Sequence, residues 1–582
     1  MRLGRLLLVV LFGLGSALVL LGLFNPAAIT ASTSGSARYV ASSCAGQPSP
    51  CYTTIQAAAN AANDGDTIRV AQGTYLETVV VSRSVTLEGG WKLGFTERDW
   101  NLYTTTIDAR RNGPVIRVNG EVSPTIEGFS ITGGDASEPW GWGGGILVHG
   151  EWAGVGTATI RHNVVVNNIA CSESSCQGYG GGIMVYSSRS VIEYNKVISN
   201  LASWNGHLGG QGGGIAIWGW PGDATIQHNA IISNTALFSQ TAEYAGGEGG
   251  GVWSEHDVIL TDNEISENVA AVQGEGRGGG VYAGGDLYNN RIISNTASIT
   301  GGLGYGGGVY AHYVPDFNDN LVQGNRASQG RDGSGGGVYA IYLRDAHQNT
   351  IVDNTATRGG GVYFQDYTGQ QEFANNLVAR NWATGLDLVG MDGGGGIATR
   401  ADWVGIVGND ILSNTALAGG GVRVTGGSRY LVQNNVLAGN VAAAGGGMFV
   451  YSATGTIAQN QVVGNHALWW GGGMYLYTQA SPSMDANVVM SNTAWGTGGA
   501  GGFAGGGIIV AVGPTTSITL TNHIIARNNI LTGTAAGMHC LSGSCALIHD
   551  TIVDNTLGSG RGEGVRISSG GLNVVRNSII AG

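Results

Sequence analysis

Along most of the chain, apolar residues fall in runs of three to five that alternate with small or polar positions. Glycine or asparagine ends each run within a few residues. Alternation at a period of two marks a half-buried strand, and runs this short predict strands rather than the helices of an α-solenoid. The runs also repeat. From about residue 143, Gly-Gly-Gly is followed by Ile, Val or Met, as at Ile146, Ile183, Val281, Val338, Met448 and Ile508. A second motif, Asn-x-Φ-x-x-Asn-x-Ala with Φ aliphatic, recurs between these triplets, as in Asn290-Arg-Ile-Ile-Ser-Asn295-Thr-Ala297. Its leading residues run from Asn163 to Asn487, about 29 residues apart on average. Each repeat predicts two or three strands, and each strand stacks on its copy ~4.8 Å away, giving a solenoid of parallel sheets.

The residue types at the corners have physical reasons. Asparagine tolerates the left-handed conformation that a one-residue corner needs, so the motif asparagines are expected to hold it. Their amides are also expected to bond to one another from coil to coil, as a ladder that needs every copy. The glycine triplet is expected to supply φ values closed to other residues where the chain re-enters the first strand.

Near the start, Tyr52-Thr-Thr-Ile-Gln-Ala-Ala-Ala-Asn60 precedes Asp64-Gly-Asp-Thr-Ile-Arg-Val-Ala-Gln-Gly-Thr-Tyr75. This pair of segments resembles the beginning of pectin-lyase-like β-helix proteins. The paired Asn and Gly motifs also resemble the repeats of bacterial polymorphic outer-membrane proteins. The resemblance implies an all-β, right-handed parallel β-helix whose first coil is plugged by a short helix. Thr53 and Gln56 have capping-box spacing, and Ile55, Ala58, Ala59 and Ala62 form the plug face. The expected boundaries are a signal peptide or membrane anchor at 1–31, a linker at 32–51, and the β-helix at 52–582 with its C-terminal cap missing. That last expectation comes from Asn577-Ser-Ile-Ile-Ala-Gly582, which stops where the second Asn of a repeat would come.

Composition sharpens this picture. Glycine makes up 104 of 582 residues without a Gly-X-Y period, and there are only 10 prolines, which excludes collagen. Hydrophobic residues at 42% exclude a disordered chain. A net charge of −12 with two lysines, Lys92 and Lys196, leaves no basic patch for nucleic acid. Arg2 and Arg5 precede the apolar run Leu6–Phe24, which predicts export, so a membrane is engaged only through this N-terminal segment. The six cysteines fall as close pairs, Cys44/Cys51, Cys171/Cys176 and Cys540/Cys545, and an exported chain permits three local disulfides.

Candidate chemistry is concentrated on one edge. Loops between the Ala and Gly motifs carry Tyr179, Trp204, His207, Phe238, Tyr244, Tyr305, Trp495 and Phe503 and are expected to form a wall. If the aliphatic after each triplet points inward, the next residue points outward. That column contains Trp253, Tyr282, Tyr310, Tyr339, Tyr363 and Tyr475. A second outward column contains His149, Tyr186, Trp218, Glu255, His312, Gln365, Arg400, Tyr451 and Tyr477. Aromatic strips along a groove suit sugar rings, whereas the same rings can also stabilise a sheet by stacking on one another. The function expected is a secreted or cell-surface protein without catalysis, either a glycan-binding or adhesive protein that takes polysaccharide or surface glycan, its outward rings removable at little cost in stability, or a structural surface protein with no ligand. The alternative is a polysaccharide lyase or glycoside hydrolase in the same groove. Galacturonan hydrolases of the resembled fold use Asn-Thr-Asp, Asp-Asp, His-Gly and Arg-x-Lys elements; here only His149-Gly150 is present. An arginine-based lyase would draw on Arg400, Arg423 and Asp366. No cofactor or metal is expected, apart from Ca²⁺ under the lyase alternative.

Overall fold

The computed structural model describes residues 35–138, 140–150, 156–206, 208–220, 222–240, 246–330, 332–365, 369–387, 392–426, 429–478, 482–496, 505–514, 516–558, 564–568 and 573–581. The export segment 1–31, the loop residues His207, Tyr244 and Phe503, and the lyase candidate Asp366 lie outside the described residues.

One coil shows the plan of all. Ile183–Tyr186 forms a first face, Val191–Glu193 a second, Lys196–Ile198 a third, and Leu201–Gly206 runs outward as a fourth segment. The next coil lays Ile215–Trp218, Thr225–Gln227, Ala230–Ile232 and Thr235–Gln240 on these, parallel and in register. Repetition builds an 18-stranded sheet on the third face, a 35-stranded system over the first two, and 12- and 5-stranded sheets along the fourth. Eighteen strands at ~4.8 Å spacing make a rod of roughly 80 Å. Among the described residues the chain is an all-β parallel β-helix with one short helix.

The first face turns two aliphatic positions inward per strand and the second and third faces one each, so Ile183, Val185, Ile192 and Val197 line the inside of their coil and stack on Ile215, Ile217, Ile226 and Ile231 of the next. The result is one continuous core from Val40 to Ile552. Only a three-sided tube lets such short strands bury an aliphatic each, because no single coil has a second layer to pack against.

Both asparagine columns form ladders, but the corner conformation lies elsewhere than expected. The left-handed residue is the one before each motif asparagine: Tyr194 (φ 55°) before Asn195, Ser199 (φ 54°) before Asn200, Asn375 (φ 54°) before Asn376. The asparagines themselves are buried. The Oδ1 of Asn195 accepts from both the backbone N–H and the Nδ2 of Asn163, at 3.0 and 3.1 Å, while the Nδ2 of Asn195 donates to Ile160 O and to Asn229 Oδ1. A side chain committed to two coils leaves the sharp turn to its neighbour, and that neighbour is free to be Tyr, Ser, His or Asp. The first column then departs from asparagine: Asn487 Nδ2 meets His523 Nε2 at 3.1 Å, and His523 Nδ1 meets Asp550 Oδ1 at 3.1 Å.

The glycine triplet divides its work. In Gly306-Gly307-Gly308 only Gly306 is left-handed, at φ 65°. Gly308 is there for space, since a Cβ would sit 2.7 Å from Gly337 O and 3.0 Å from Asn325 Nδ2. The second ladder therefore packs directly on the third glycine.

At the N-terminal end the helix Ile55–Ala61 plugs the first coil with Ile55, Ala58 and Ala59, as expected. Its cap is Thr54, not Thr53: Thr54 Oγ1 accepts from Ala57 N at 3.2 Å. Glu77 of the following coil supplies the remaining acceptors, taking the N–H groups of Ile55 and Gln56 at 2.8 and 3.0 Å. The segment before the plug is part of the body rather than a linker over Ala37–Val40, which pairs with Cys51–Tyr52 and Thr67–Ala71. Among the described residues no helix is long and apolar enough to cross a membrane.

All three disulfides join the expected partners. Cys44–Cys51, Cys171–Cys176 and Cys540–Cys545 have Cα–Cα separations of 5.6, 6.0 and 6.4 Å. The close spacing suggests links across surface loops, but only Cys44 and Cys51 keep part of their surface. Cys171 and Cys176 are both buried, beneath the start of the outward-running arms. Cys540 and Cys545 go further and belong to the continuous core, where they take inward positions on the first and second faces that aliphatic residues hold in other coils. These four cysteines thus act as packing residues as well as links, which suits the apolar character of a bridged sulfur pair.

Candidate functional site

Between Gly178 and Ser334 the fourth segment of each coil runs out and returns, and the returning arms end in a pattern that sequence reading overlooked: Gly-x-Gly-Gly-Gly. Here x is Tyr179, Gln211, Glu248, Arg277, Tyr305 and Ser334 in successive coils. The glycine before x lets the arms lie back to back, since a Cβ on Gly276 or Gly304 would overlap the carbonyl oxygen of Ala297 or Ala327. The arms form a wall. The chain then turns sharply at the triplet, so each x residue faces the first outward position of the first-face floor across a concave corner.

Contacts across that corner are specific. Trp253 Nε1 donates to Glu248 Oε2 at 3.1 Å, and Arg277 bridges Glu248 and Glu275 at 2.9 and 2.7 Å. Tyr305 meets Tyr339 edge-on at 5.1 Å between centroids, and Trp470 meets Tyr475 at 5.7 Å. Burial and the Glu248 charge push the Tyr282 phenol upward, and Tyr310 is pushed up to about 12 chiefly by burial. The floor tyrosines therefore stay neutral at physiological pH.

The predicted outward column exists as an unbroken register through Trp253, Tyr282, Tyr310, Tyr339 and Tyr363. Its accessibility differs from the expectation. Trp253, Tyr339, Tyr363 and Tyr475 are buried at the foot of the wall. Tyr282, Tyr310, Tyr339 and Tyr363 stack face to face at 4.9, 5.1 and 5.4 Å, within 12° of parallel. In-register stacking at the coil repeat directs each ring face at its neighbour, so these faces are occupied. After Tyr363 the column holds Ala398 and then Arg423.

Arg423 was a lyase candidate; it is 1% exposed, lies 5.5 Å over the Phe449 ring, and is pushed down to about 10 by burial. It serves as packing within the column, shut off from solvent. Arg400 is half-buried on the next outward column, so the structure does not bring Arg400 and Arg423 to one accessible point. The disulfide cysteines Cys171, Cys176, Cys540 and Cys545 are likewise shut off from solvent and offer no group to a ligand. Among the described residues no group of three or more His, Cys, Asp or Glu side chains is placed to hold a metal ion.

Open ring faces occur instead at the first coils of the corner. Trp142 is surrounded by Trp140, His149, Tyr186 and Trp218 at 5.1–6.1 Å, with interplanar angles from 26° to 82°. Some of these faces are taken, since Tyr179 lies flat on Trp218 at 5.1 Å and His149 on Tyr186 at 5.3 Å, and the bare ring surface lies at the rim of the group. Trp140 is 49% exposed, and Trp220, just past Trp218 on the far rim, is 70% exposed. Further along, Tyr451 stacks on Tyr477 at 5.5 Å, and only Tyr477 of this pair is exposed.

The corner closes at His539, a fully buried floor residue held by Thr534 Oγ1 on Nδ1 at 3.0 Å and by Ser568 Oγ on Nε2 at 2.9 Å. Burial pushes its imidazole down to about 4, and the in-register Arg566 adds to the effect. The unfolded chain therefore takes up this proton first. Stability contributed by the neutral ring is complete above about pH 6.5 and is lost as pH falls to about 4, by about 3 kcal/mol. Urea midpoints measured between pH 7 and 4 are expected to fall accordingly, and His539→Gln is expected to flatten that slope.

The family model described as right handed beta helix region matches residues 329–489 and 395–580. Together with the parallel register, this defines the protein as a right-handed parallel β-helix. Among solved structures, the A-module of the mannuronan C-5 epimerase AlgE6 from Azotobacter vinelandii is similar at 13% identity. That alignment covers 91% of this chain and 94% of the module, with a TM-score of 0.18, and the fold assignment does not rest on it. No curated protein matches the chain in sequence.

Proposed function

We propose that the protein is an exported glycan-binding β-helix that takes a polysaccharide or surface glycan into the concave corner. The observation that carries this reading is the exposure of Trp140 and Trp220 at the first coils, beside the half-buried ring cluster of Trp142, Tyr186 and Trp218. Sugar C–H faces need a bare ring face to lie on, and rigid rings offer it at small entropic cost. Half-buried wall residues such as Glu248 and Arg277 supply polar edges for hydroxyl groups. Three disulfides fit an oxidising, extracellular setting. The six rings that the sequence pattern assigns to glycan, Trp253 to Tyr475, act in this reading as the floor that holds the corner in shape.

The test is a polysaccharide panel with the double variant Trp140→Ala/Trp220→Ala. Affinity for the glycan that binds the parent is expected to fall at least about tenfold, equivalent to ~1.4 kcal/mol. The thermal midpoint is expected to stay nearly constant, because both rings are exposed. Unaltered affinity in a folded double variant would remove the assignment.

A further inference from the structure

The far end of the same corner carries chemistry that glycan binding leaves unused. Ser568 is exposed, and its Oγ lies 2.9 Å from His539 Nε2 and 3.3 Å from Arg566 Nε. His539 is held on its other nitrogen by Thr534, a wall residue, at 3.0 Å. Parallel register explains the convergence. His539 pairs with Arg566, and Ser568, two residues on, turns to the same side of the strand. Hydroxyl, imidazole and a second hydroxyl thus stand in line, with a nucleophile on a base and the base held by a third group. Solvent alone would satisfy an exposed serine; here its hydroxyl also meets the second nitrogen of a buried imidazole.

We propose that Ser568 is an acyl-accepting nucleophile and that the protein removes small acyl esters, such as O-acetyl groups, from the glycan in its corner. The glycan half rests on the reading above; the nucleophile does not. In the tautomer with the proton on Nδ1, His539 donates to Thr534 Oγ1, and its Nε2 lone pair faces Ser568. Ser568 Oγ attacks the ester carbonyl carbon while its proton passes to Nε2. Collapse of the adduct breaks the bond to the sugar oxygen, which leaves with the proton from Nε2. Water then adds to the acyl-serine and gives its proton to Nε2. The carboxylic acid departs and Oγ regains the proton, so ester and water become alcohol and acid. The Arg566 guanidinium, its Nε 3.3 Å from Ser568 Oγ, is the cation beside the bond-forming oxygen and would offset the negative charge of the adduct. Thr534 is a positioning residue. A base this deeply buried stays neutral to unusually low pH, so the acid limb of the rate is expected near pH 4–5 rather than at the 6–7 usual for histidine.

The experiment uses the full, disulfide-bonded chain with p-nitrophenyl acetate and a fluorophosphonate probe. Turnover and single-site labelling mapped to Ser568 are expected, with both abolished in Ser568→Ala, whose exposed position spares the fold. Thr534→Val is expected to lower kcat at least tenfold with KM unchanged, and to displace the acid limb. No turnover above Ser568→Ala in folded protein, or labelling at another residue, overturns the proposal. Cleavage of the nitrophenyl ester without acetate release from any acetylated glycan that binds overturns the glycan half alone.

Discussion

Replacing Asn376 by alanine is expected to cost the fold roughly 3–5 kcal/mol, far more than replacing Asn375 beside it. The Oδ1 of Asn376 accepts the backbone N–H and the Nδ2 of Asn349, both at 2.9 Å. Its Nδ2 donates to Ala346 O, Ala374 O and Asn409 Oδ1 at 2.9–3.0 Å. Alanine abandons all of these in a site where water has no access, so the Asn349 N–H is left without its acceptor between two coils. Asn375 carries the strain and none of the ladder: at φ 54° its replacement by alanine costs ~1–2 kcal/mol and by glycine almost nothing. Urea denaturation of the three variants checks this. Equal midpoints for Asn375→Ala and Asn376→Ala would return the corner strain to the motif asparagine and reduce the ladder to decoration.

That pair of neighbours also shows what could be read from the chain. The spacing of Asn195, Asn229 and Asn263 gives the coil, and short alternating runs give the faces, because both follow from periodicity alone. Which residue of a corner turns left-handed depends on where a side-chain amide finds partners in two other coils, and no single repeat contains that. Cysteine pairing was legible from spacing in the same way, whereas the burial of Cys176 and Cys545 was not, because it depends on which face of the coil each sulfur enters. The same limit applies to the site. The outward column after the triplets was legible from alternation, since Tyr310 must oppose Val309. What covers it was not legible, because the wall comes from residues before the triplet whose arms fold back only when Gly276 and Gly304 lie against neighbouring coils. The recurring Gly-x-Gly-Gly-Gly was the available signal. Arg423 shows the same effect: an outward arginine reads as surface until Ala398 below it opens a slot beside Tyr363. His539 and Ser568 were not singled out, because 29 residues separate them and only the register of the last coils brings them together.

Tyr339 is where the sequence expectation and the structure differ most in consequence. Read as an outward ring, it was expected to be removable with little loss of stability and a loss of glycan binding; the packing predicts the reverse. Its ring lies between Tyr310 at 5.1 Å and Tyr363 at 5.4 Å, both nearly parallel, and Tyr305 closes the edge. Truncation to alanine opens a cavity in the middle of the stack and leaves three rings without a partner face, for an expected loss of about 3–5 kcal/mol. Tyr339→Phe keeps the ring and is expected to change stability little. Its phenol is already driven strongly upward by burial, so no charge is at stake near neutral pH. The comparison that decides between the two roles is thermal midpoint against glycan affinity for Tyr339→Ala, measured beside Trp140→Ala/Trp220→Ala. The stacked floor is expected to lose midpoint first and affinity only as the corner loosens, whereas the tilted rings lose affinity alone. A Tyr339→Ala protein that melts like the parent but no longer binds would restore the ladder as the glycan surface and displace the tryptophan cluster.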